Sequence, residues 1–384
     1  MKLKFLLSVW TLCVTLLSQA GNVVGGPFIV KGSLKGADGK KIYLQYGIGD
    51  KSFMDSTVIR KGTFVFKGNL ESPFVVGGLV FGNKNDMRNL KWCSLFLEST
   101  TITVDVTLTD FSSPKVKGSV SQTQYNEFQS QIANLSKEMN RLHDAVTKEQ
   151  NIELRNKYSA SLDSCEELIN KAQMEFIKTH PDSYVSSYLM MSMMGHMMYN
   201  EANAIYQSLT PNVKKYGPYI SDIEKELASM ERVQPGKLAP DFTTTDINSN
   251  QVSFSEMRGK YVLLDFWASW CVPCRRSFPH VKALYNKYKD KGFDVFCVGD
   301  NDSSPEQWRA AIKKDGIDMF HHVLRGMKMT LTEYASVFDK TNDISSKYAV
   351  HYLPTKYLID KEGKIIGQFE DEQLDAKLKE IFGF

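Results

Sequence analysis

"WASWCVPCRRSFP", residues 267–279, places two cysteines three positions apart between an apolar run and a stretch of helical spacing. Upstream, "KYVLLDFWAS" (260–269) reads as a buried strand; downstream, Val272 to about Asp290 reads as a helix. Cys271 therefore falls where a strand gives way to a helix. Such a pair can hold a metal, form a structural bridge or exchange a disulfide. Structural zinc takes four ligands, and no second C-x-x-C or nearby His pair exists. A bridge across two residues closes a tiny loop and stabilises little. Exchange suits the position better. The first turn of a helix offers unpaired N–H groups and the positive end of the macrodipole, and both favour the thiolate that attacks disulfides. Pro273 sits in that turn, where a missing N–H costs little. Cys274 lies one turn on, within reach to resolve a mixed disulfide by intramolecular attack.

Around this motif, strands and helices alternate from Gly236 onward. "FDVFCVGD" (293–300) reads as a second strand, 305–315 as a helix, and "TKYLIDKEG" (355–363) as a strand ending in the Glu362-Gly363 turn. "KIIGQFE" (364–370) is its hairpin partner, and 372–382 a final helix. That order predicts an α/β layer with a βαβ start and a terminal hairpin.

The rest of the chain has a different texture. Between Pro27 and about Gly118, "KKIYLQY" (40–46), "STVIR" (56–60), "TFVFKGNL" (63–70), "FVVGGLVF" (74–81) and "STTITVDVTL" (99–108) read as short strands. Turn signals at Asp38-Gly39 and Lys61-Gly62 separate them, as in an antiparallel sandwich or open barrel. From Ser121 to Arg232 the period becomes helical. One stripe carries Phe128, Ile132, Leu135, Met139 and Leu142; a second carries Leu162, Cys165, Leu168, Ile169 and Phe176 and stops before His180-Pro181. "MMSMMGHMM" (190–198) holds soft donors of the kind Cu(I) takes, but a buried helix with methionine as adaptable filler is the expected state. "VQPGKLAPDF" (233–242) marks a boundary.

The N-terminus reads as an export signal. Lys2 and Lys4 precede an apolar stretch, Phe5 to Leu17, and Ser18-Gln19-Ala20 offers a small-residue cleavage site. At roughly a dozen residues the stretch is short for a membrane span, so an uncleaved anchor is the minor alternative. The net charge of +3 becomes +1 once Lys2 and Lys4 leave, which gives no electrostatic case for nucleic acid. Outside the cytoplasm, a disulfide framework would use more cysteines than Cys93, Cys165, Cys271, Cys274 and Cys297. One close pair and three scattered singles suggest a working pair. Cys297, inside an apolar strand, is expected to be an inert buried thiol, and a Cys93–Cys165 bridge is left open.

Residues 234–384 resemble a thioredoxin-fold domain of the TlpA/ResA branch, exported thiol–disulfide oxidoreductases related to the AhpC/TSA peroxiredoxins. The matching stretches are "PGKLAPDF", "GKYVLLDFWASWCVPCRRSFP" and "HYLPTKYLIDKEGKIIG". The three-part arrangement is also similar to exported proteins in which a β-rich domain of unknown function and helices precede this domain. The resemblance implies Cys271 as attacking thiolate, Cys274 as buried resolving cysteine and Pro354 as the cis-proline. It further implies that the Leu353 backbone pairs with an extended substrate, that Trp270 and Pro273 flank the pair, that Trp267 packs the strand behind it and that Pro279 kinks the helix. Asp265 matches the buried acid that thioredoxins are thought to use to exchange a proton with the resolving cysteine. Many ResA-like relatives carry Glu three residues after the second cysteine; here that position is Ser277, so the proton role falls to Asp265. Peroxiredoxins carry Thr where this chain has Cys271, which disfavours a peroxidase. The connection between Phe320 and Tyr348 is longer than usual and predicts an inserted loop or helix near the cis-proline. His321, His322 and His351 could approach the site, with solvated or structural roles preferred.

The expected chain is thus multi-domain: signal peptide 1–20, N-terminal β-sandwich 21–118, helical region 119–232, and C-terminal α/β thioredoxin-like fold 233–384. Its expected activity is reduction of disulfides in envelope proteins, with a membrane-bound electron donor, no cofactor, no metal and no nucleic acid. Oxidase or isomerase action is the runner-up. A partner- or glycan-binding envelope protein with an accessory redox domain is the alternative of another class. Periplasmic or otherwise exported, the mature protein would be soluble, and its helices leave an oligomer open.

Overall fold

Short β-branched and aromatic runs need neighbours to bury their apolar faces, and the N-terminal runs find them in each other. The computed structural model describes residues 25–48, 51–82, 90–331 and 336–384; the expected export signal lies outside them. The chain divides into two compact units, one ending at Glu127 and the other running from Phe128 to Phe384.

In the first unit the strands are β1 (Gly26–Leu34), β2 (Lys41–Ile48), β3 (Lys51–Val58), β4 (Thr63–Leu70), β5 (Phe74–Phe81), β6 (Lys91–Glu98), β7 (Thr101–Val106) and β8 (Lys115–Lys117). They form two four-stranded sheets, ordered β4-β1-β7-β8 and β3-β2-β5-β6. Alternation is cleanest in β7, where Ile102, Val104 and Val106 are buried and the residues between them exposed. Phe28 and Phe66 of one sheet and Leu44 and Leu95 of the other share a single apolar cluster. Helix α1 (Val120–Lys148) starts against β6, where the Glu98 carboxylate accepts the Val120 and Ser121 N–H groups at 2.8 and 3.1 Å. An acid at a helix start satisfies orphan donors and complements the dipole.

The second unit opens with helices α1, α2 (Ile152–Thr179), α3 (Tyr184–Met193), α4 (Tyr199–Ser208), α5 (Pro211–Tyr216) and α6 (Ile220–Arg232). The α1 stripe buries Phe128, Ile132 and Leu142, and Phe128 meets Phe176 of α2 edge-on at 5.7 Å. Two expectations need correcting. Leu168 lies on the solvent side of α2, 49% exposed, because the neighbouring helices cover only part of the stripe. The methionine run is not one helix: α3 stops at Met193, a 3-10 turn covers Met194–His196, and Met198 is exposed at the start of α4. Gly195, a poor helix former, stands in the break. Met190, Met193, Met194 and Met197 are buried.

Beyond the short pair β9 (Thr243–Thr245) and β10 (Gln251–Ser253) come β11 (Tyr261–Trp267), α7 (Val272–Tyr288), β12 (Phe293–Gly299), α8 (Pro305–Asp315) and β13 (His321–Leu324). These are followed by β14 (Lys328–Leu331), β15 (Ser336–Asp339), α9 (Ile344–Lys347), β16 (Thr355–Ile359), β17 (Ile365–Gln368) and α10 (Asp371–Phe382). The five-stranded sheet runs β13-β12-β11-β16-β17, with β11, β12 and β13 parallel and β16 and β17 antiparallel, so the βαβ start and terminal hairpin are both present. The long connection contains the short helix α9, and it also carries β13, which extends the sheet, and the antiparallel pair β14–β15.

Alternate residues of β11 face opposite layers. Leu263 and Trp267 pack with Cys271, Cys274 and Phe278 of the α7 side, whereas Val262, Leu264 and Phe266 join the aromatic cluster of Phe242, Phe254 and Tyr348. Trp267 is fully buried and meets Phe278 edge-on at 5.0 Å, an anchor whose truncation would cost about 3–5 kcal/mol. The end of β11 is thereby held rigid directly before the cysteines.

Candidate active site

Cys271 is the N-cap of α7, with Val272 and Pro273 opening the first turn. Its Sγ accepts the Cys274 N–H at 3.2 Å and is bonded to Cys274 Sγ; the pair is a disulfide. Cys274 is 1% exposed and Cys271 4%, while Trp270 and Val272 beside them are 63% and 56% exposed. Of the two sulfurs, only Cys271 has an exposed neighbour on each side. The N-cap hydrogen bond and the helix dipole, offered here to a bonded sulfur, are equally available to a thiolate. Pro279 stands inside α7 and cannot donate to the Arg275 carbonyl one turn back.

The loop before the pair is fixed by side chains that the sequence did not mark. Buried Asn301 accepts the Ser269 N–H at 2.8 Å and donates to Ser269 Oγ at 2.8 Å. Arg275 forms a two-pronged pair with Asp315, both contacts 2.7 Å, and its remaining arm reaches the Ser269 carbonyl at 3.3 Å. A fork of this kind fixes direction as well as charge. A hollow of about 280 Å³ opens beside Trp270, lined by Ser269, Arg275, Gln307, Ala311 and Lys314.

Behind the pair, Asp265 is 1% exposed, and its Oδ1 has no hydrogen-bond partner among the described residues. Burial pushes its pKa up to about 7; Lys356 pulls the other way, and Asp371 adds to the rise. Lys356, directly opposite Asp265 in the β11–β16 pairing, is itself only 4% exposed. Its ammonium donates to Asp371 at 2.8 Å and to Ser277 at 3.2 Å, and Ser277 donates to the Cys274 carbonyl at 2.9 Å. Lys356 is a lone charge in the otherwise uncharged strand "TKYLI", a local signal that marks the residue but not its partners.

The Leu353–Pro354 peptide bond is cis. Leu353 packs against both apolar clusters of the sheet, and its backbone N–H and C=O make no hydrogen bond among the described residues. The histidines are engaged elsewhere: His321 with Asp294 at 3.4 Å, His322 with the Ile317 carbonyl at 2.8 Å and His351 with Glu226 at 2.7 Å. Cys93, Cys165 and Cys297 are free and buried. Among the described residues no group of three or more His, Cys, Asp or Glu side chains could hold a metal, and no helix is long and apolar enough to cross a membrane.

Residues 235–368 match the AhpC/TSA family, and residues 28–125 match a domain of unknown function, DUF4369. The thiol-disulfide oxidoreductase ResA of Bacillus thuringiensis (strain Al Hakam) is 34% identical over 158 residues, covering 40% of this chain and 82% of that protein. ResA of Bacillus subtilis (strain 168) is 30% identical over 139 residues, 36% of this chain and 69% of its own. The thioredoxin domain of a thiol-disulfide oxidoreductase from Bacteroides vulgatus is 32% identical, with a TM-score of 0.33 over 38% of this chain and 97% of its own. With the C-x-x-C pair bonded at a helix start and the ResA proteins matched over most of their length, the chain belongs to the TlpA/ResA-like thiol-disulfide oxidoreductases and carries a DUF4369 domain ahead of its thioredoxin-like one.

Proposed function

We propose that the Cys271/Cys274 pair reduces disulfides of envelope proteins, in an exported enzyme that is soluble once residues 1–20 are removed. Cys271 is the attacking thiolate: it bonds to one sulfur of the substrate disulfide and expels the other as a thiolate. Cys274 then gives its proton to Asp265 and attacks the Cys271 sulfur. The second substrate thiolate leaves, and the Cys271–Cys274 disulfide remains. Two electrons pass to the substrate, whose thiolates take up protons. A membrane-bound electron donor returns the pair to the dithiol in each cycle.

The observation that carries this reading is the Cys271 sulfur capping α7 and accepting the Cys274 N–H, an environment that stabilises a thiolate. Support for substrate pairing comes from the unbonded backbone of Leu353 at the cis bond, which suits an extended segment added strand-wise. Pro354, Trp270 and Pro273 would then border that segment. We read the chain as a β-sandwich over 21–118, a helical region over 119–232 and the catalytic domain over 233–384.

A Cys274→Ser protein tests the assignment. It should reduce nothing catalytically and accumulate a mixed disulfide at Cys271, which Cys271→Ser should not form. Equilibration of the parent protein with glutathione tests the direction. A potential near thioredoxin's, about −270 mV, fits a reductase, and one near about −120 mV overturns reduction in favour of oxidation.

A further inference from the structure

We propose that Lys356 is a positioning residue for the proton step of exchange: its buried ammonium, fixed between Asp265 and the turn that carries Cys274, keeps the Asp265 carboxylate available to accept the proton that Cys274 gives up. The inference rests on the reading of Asp265 as that acceptor.

An ammonium inside a protein is costly unless it is well paired, so a lysine 4% exposed needs a reason. Lys356 has oxygens on two sides. It donates to Asp371 and Ser277, and Ser277 in turn donates to the Cys274 carbonyl, so the cation is tied to the backbone of the resolving cysteine. On β11, Asp265 lies directly opposite, and its Oδ1 is left without a hydrogen-bond partner among the described residues. That oxygen is where an incoming proton can be received without breaking an existing bond.

The groups on this face of the sheet can be sorted by sign. Cys297 comes from β12, Lys356 from β16, Cys271 and Cys274 from α7, and Asp371 from the start of α10. Burial drives Asp265 toward its neutral form, and Asp371 pushes the same way. Lys356 is the group that opposes them. Without it, the acid would hold its own proton at neutral pH and could not take another. An opposite charge at close range commonly moves a carboxyl by about 1–3 pH units, enough to decide the matter.

The test is the pH profile of resolution in the full-length reduced protein, mixed with excess 5,5′-dithiobis(2-nitrobenzoate). Attack by Cys271 releases one thionitrobenzoate at a rate set by reagent concentration. Attack by Cys274 releases the second at a rate independent of it. Lys356→Met should move the acid limb of this second phase up by about one pH unit or more, slowing it about tenfold at pH 7. Asp371→Asn should move the limb the other way, and Lys356→Arg should keep it near the parent's. A purely structural role would slow the phase in both Lys356→Met and Asp371→Asn without opposite displacement. A limb unmoved by Lys356→Met, in a protein whose limb Asp265→Asn abolishes, overturns the inference alone; a limb unmoved by Asp265→Asn overturns the acceptor reading beneath it. Should Lys356→Met fail to fold, an unmoved limb in Asp371→Asn overturns the inference in its place.

Discussion

Asp265 stands directly opposite Cys297 across the parallel pairing of β11 and β12, and both side chains are buried. Burial holds the Cys297 thiol well above its ordinary pKa, and the carboxyl adds to the rise. In the first unit, burial pushes Cys93 up to about 12. Thiols in that state are protonated at neutral pH and unreactive. The reduced native protein, treated with iodoacetamide at pH 7, should therefore label rapidly at Cys271 and leave Cys93 and Cys297 unmodified until denaturant is added. Peptide mass spectrometry checks this; labelling of Cys297 at the Cys271 rate would refute it.

Two buried groups should tilt the pH dependence of stability in opposite directions. Burial raises Asp265 from 3.8 to about 7, so the native protein keeps a proton that the unfolded chain releases, and stability falls as pH rises through that window. Burial lowers His322 from 6.5 to about 4, so the unfolded chain binds the extra proton, and stability is full above pH 6.5 and lost as pH falls toward 4. Where the windows overlap, the slopes oppose and partly cancel. Asp265→Asn should expose a stability that climbs with pH between about 4 and 6.5, and His322→Gln one that declines. Each effect is at most about 3–4 kcal/mol across its window. Urea unfolding of the oxidised proteins at several pH values reads both slopes, and curves parallel to the parent's would refute the assignment.

Legibility of the fold followed the range of the interactions that decide it. Helix α8 spans 305–315 as expected because Pro305 at its first turn and Gly316 at its C-cap punctuate it locally. The cysteines at a helix start were likewise written in adjacent residues. The β14–β15 hairpin was not, since two four-residue strands carry too little alternation to establish a period. Leu168 failed because the breadth of a buried stripe depends on which neighbours arrive. Asn301 is 32 residues from the Ser269 it holds, and Lys356 is 79 from Ser277. Single polar residues acting over such distances carry no local signal of their partners.

Arg325 and Asp343 form a two-pronged pair at 2.9 and 2.6 Å, with the Asp343 carboxylate wholly buried. Asp343 also caps α9 by accepting the Ser345 N–H at 3.0 Å, and α9 leads into the segment that ends at the cis bond. Removing Asp343 leaves a largely buried guanidinium whose one remaining ion-pair partner among the described residues is Asp300. Asp343→Ala should therefore cost about 3–5 kcal/mol. Arg325→Met combined with Asp343→Ala should be less damaging than the two single costs added together, because no orphan charge remains. Urea unfolding of the four proteins checks the cycle; additive costs would show that the pair is not coupled.

Glu226 of α6 reaches His351, three residues before Pro354, at 2.7 Å. A cleft of about 320 Å³ lies alongside, lined by Met198, Tyr199, His351, Tyr352 and Phe369. Residues of the helical segment thus line this cleft together with His351 and Tyr352, which directly precede the cis bond in sequence. The pair is partly exposed, so Glu226→Ala should lower stability by less than about 1 kcal/mol. Its effect should instead appear in substrate access. Under the proposed strand-wise pairing at Leu353, a protein substrate would extend toward this cleft, whereas a small disulfide would need only Cys271. Glu226→Ala should then raise KM for reduced-chain release from insulin by up to about fivefold while leaving the rate with a small aromatic disulfide unchanged. Equal losses on both substrates would mean that α6 supports the sulfur chemistry itself rather than the path of the substrate chain.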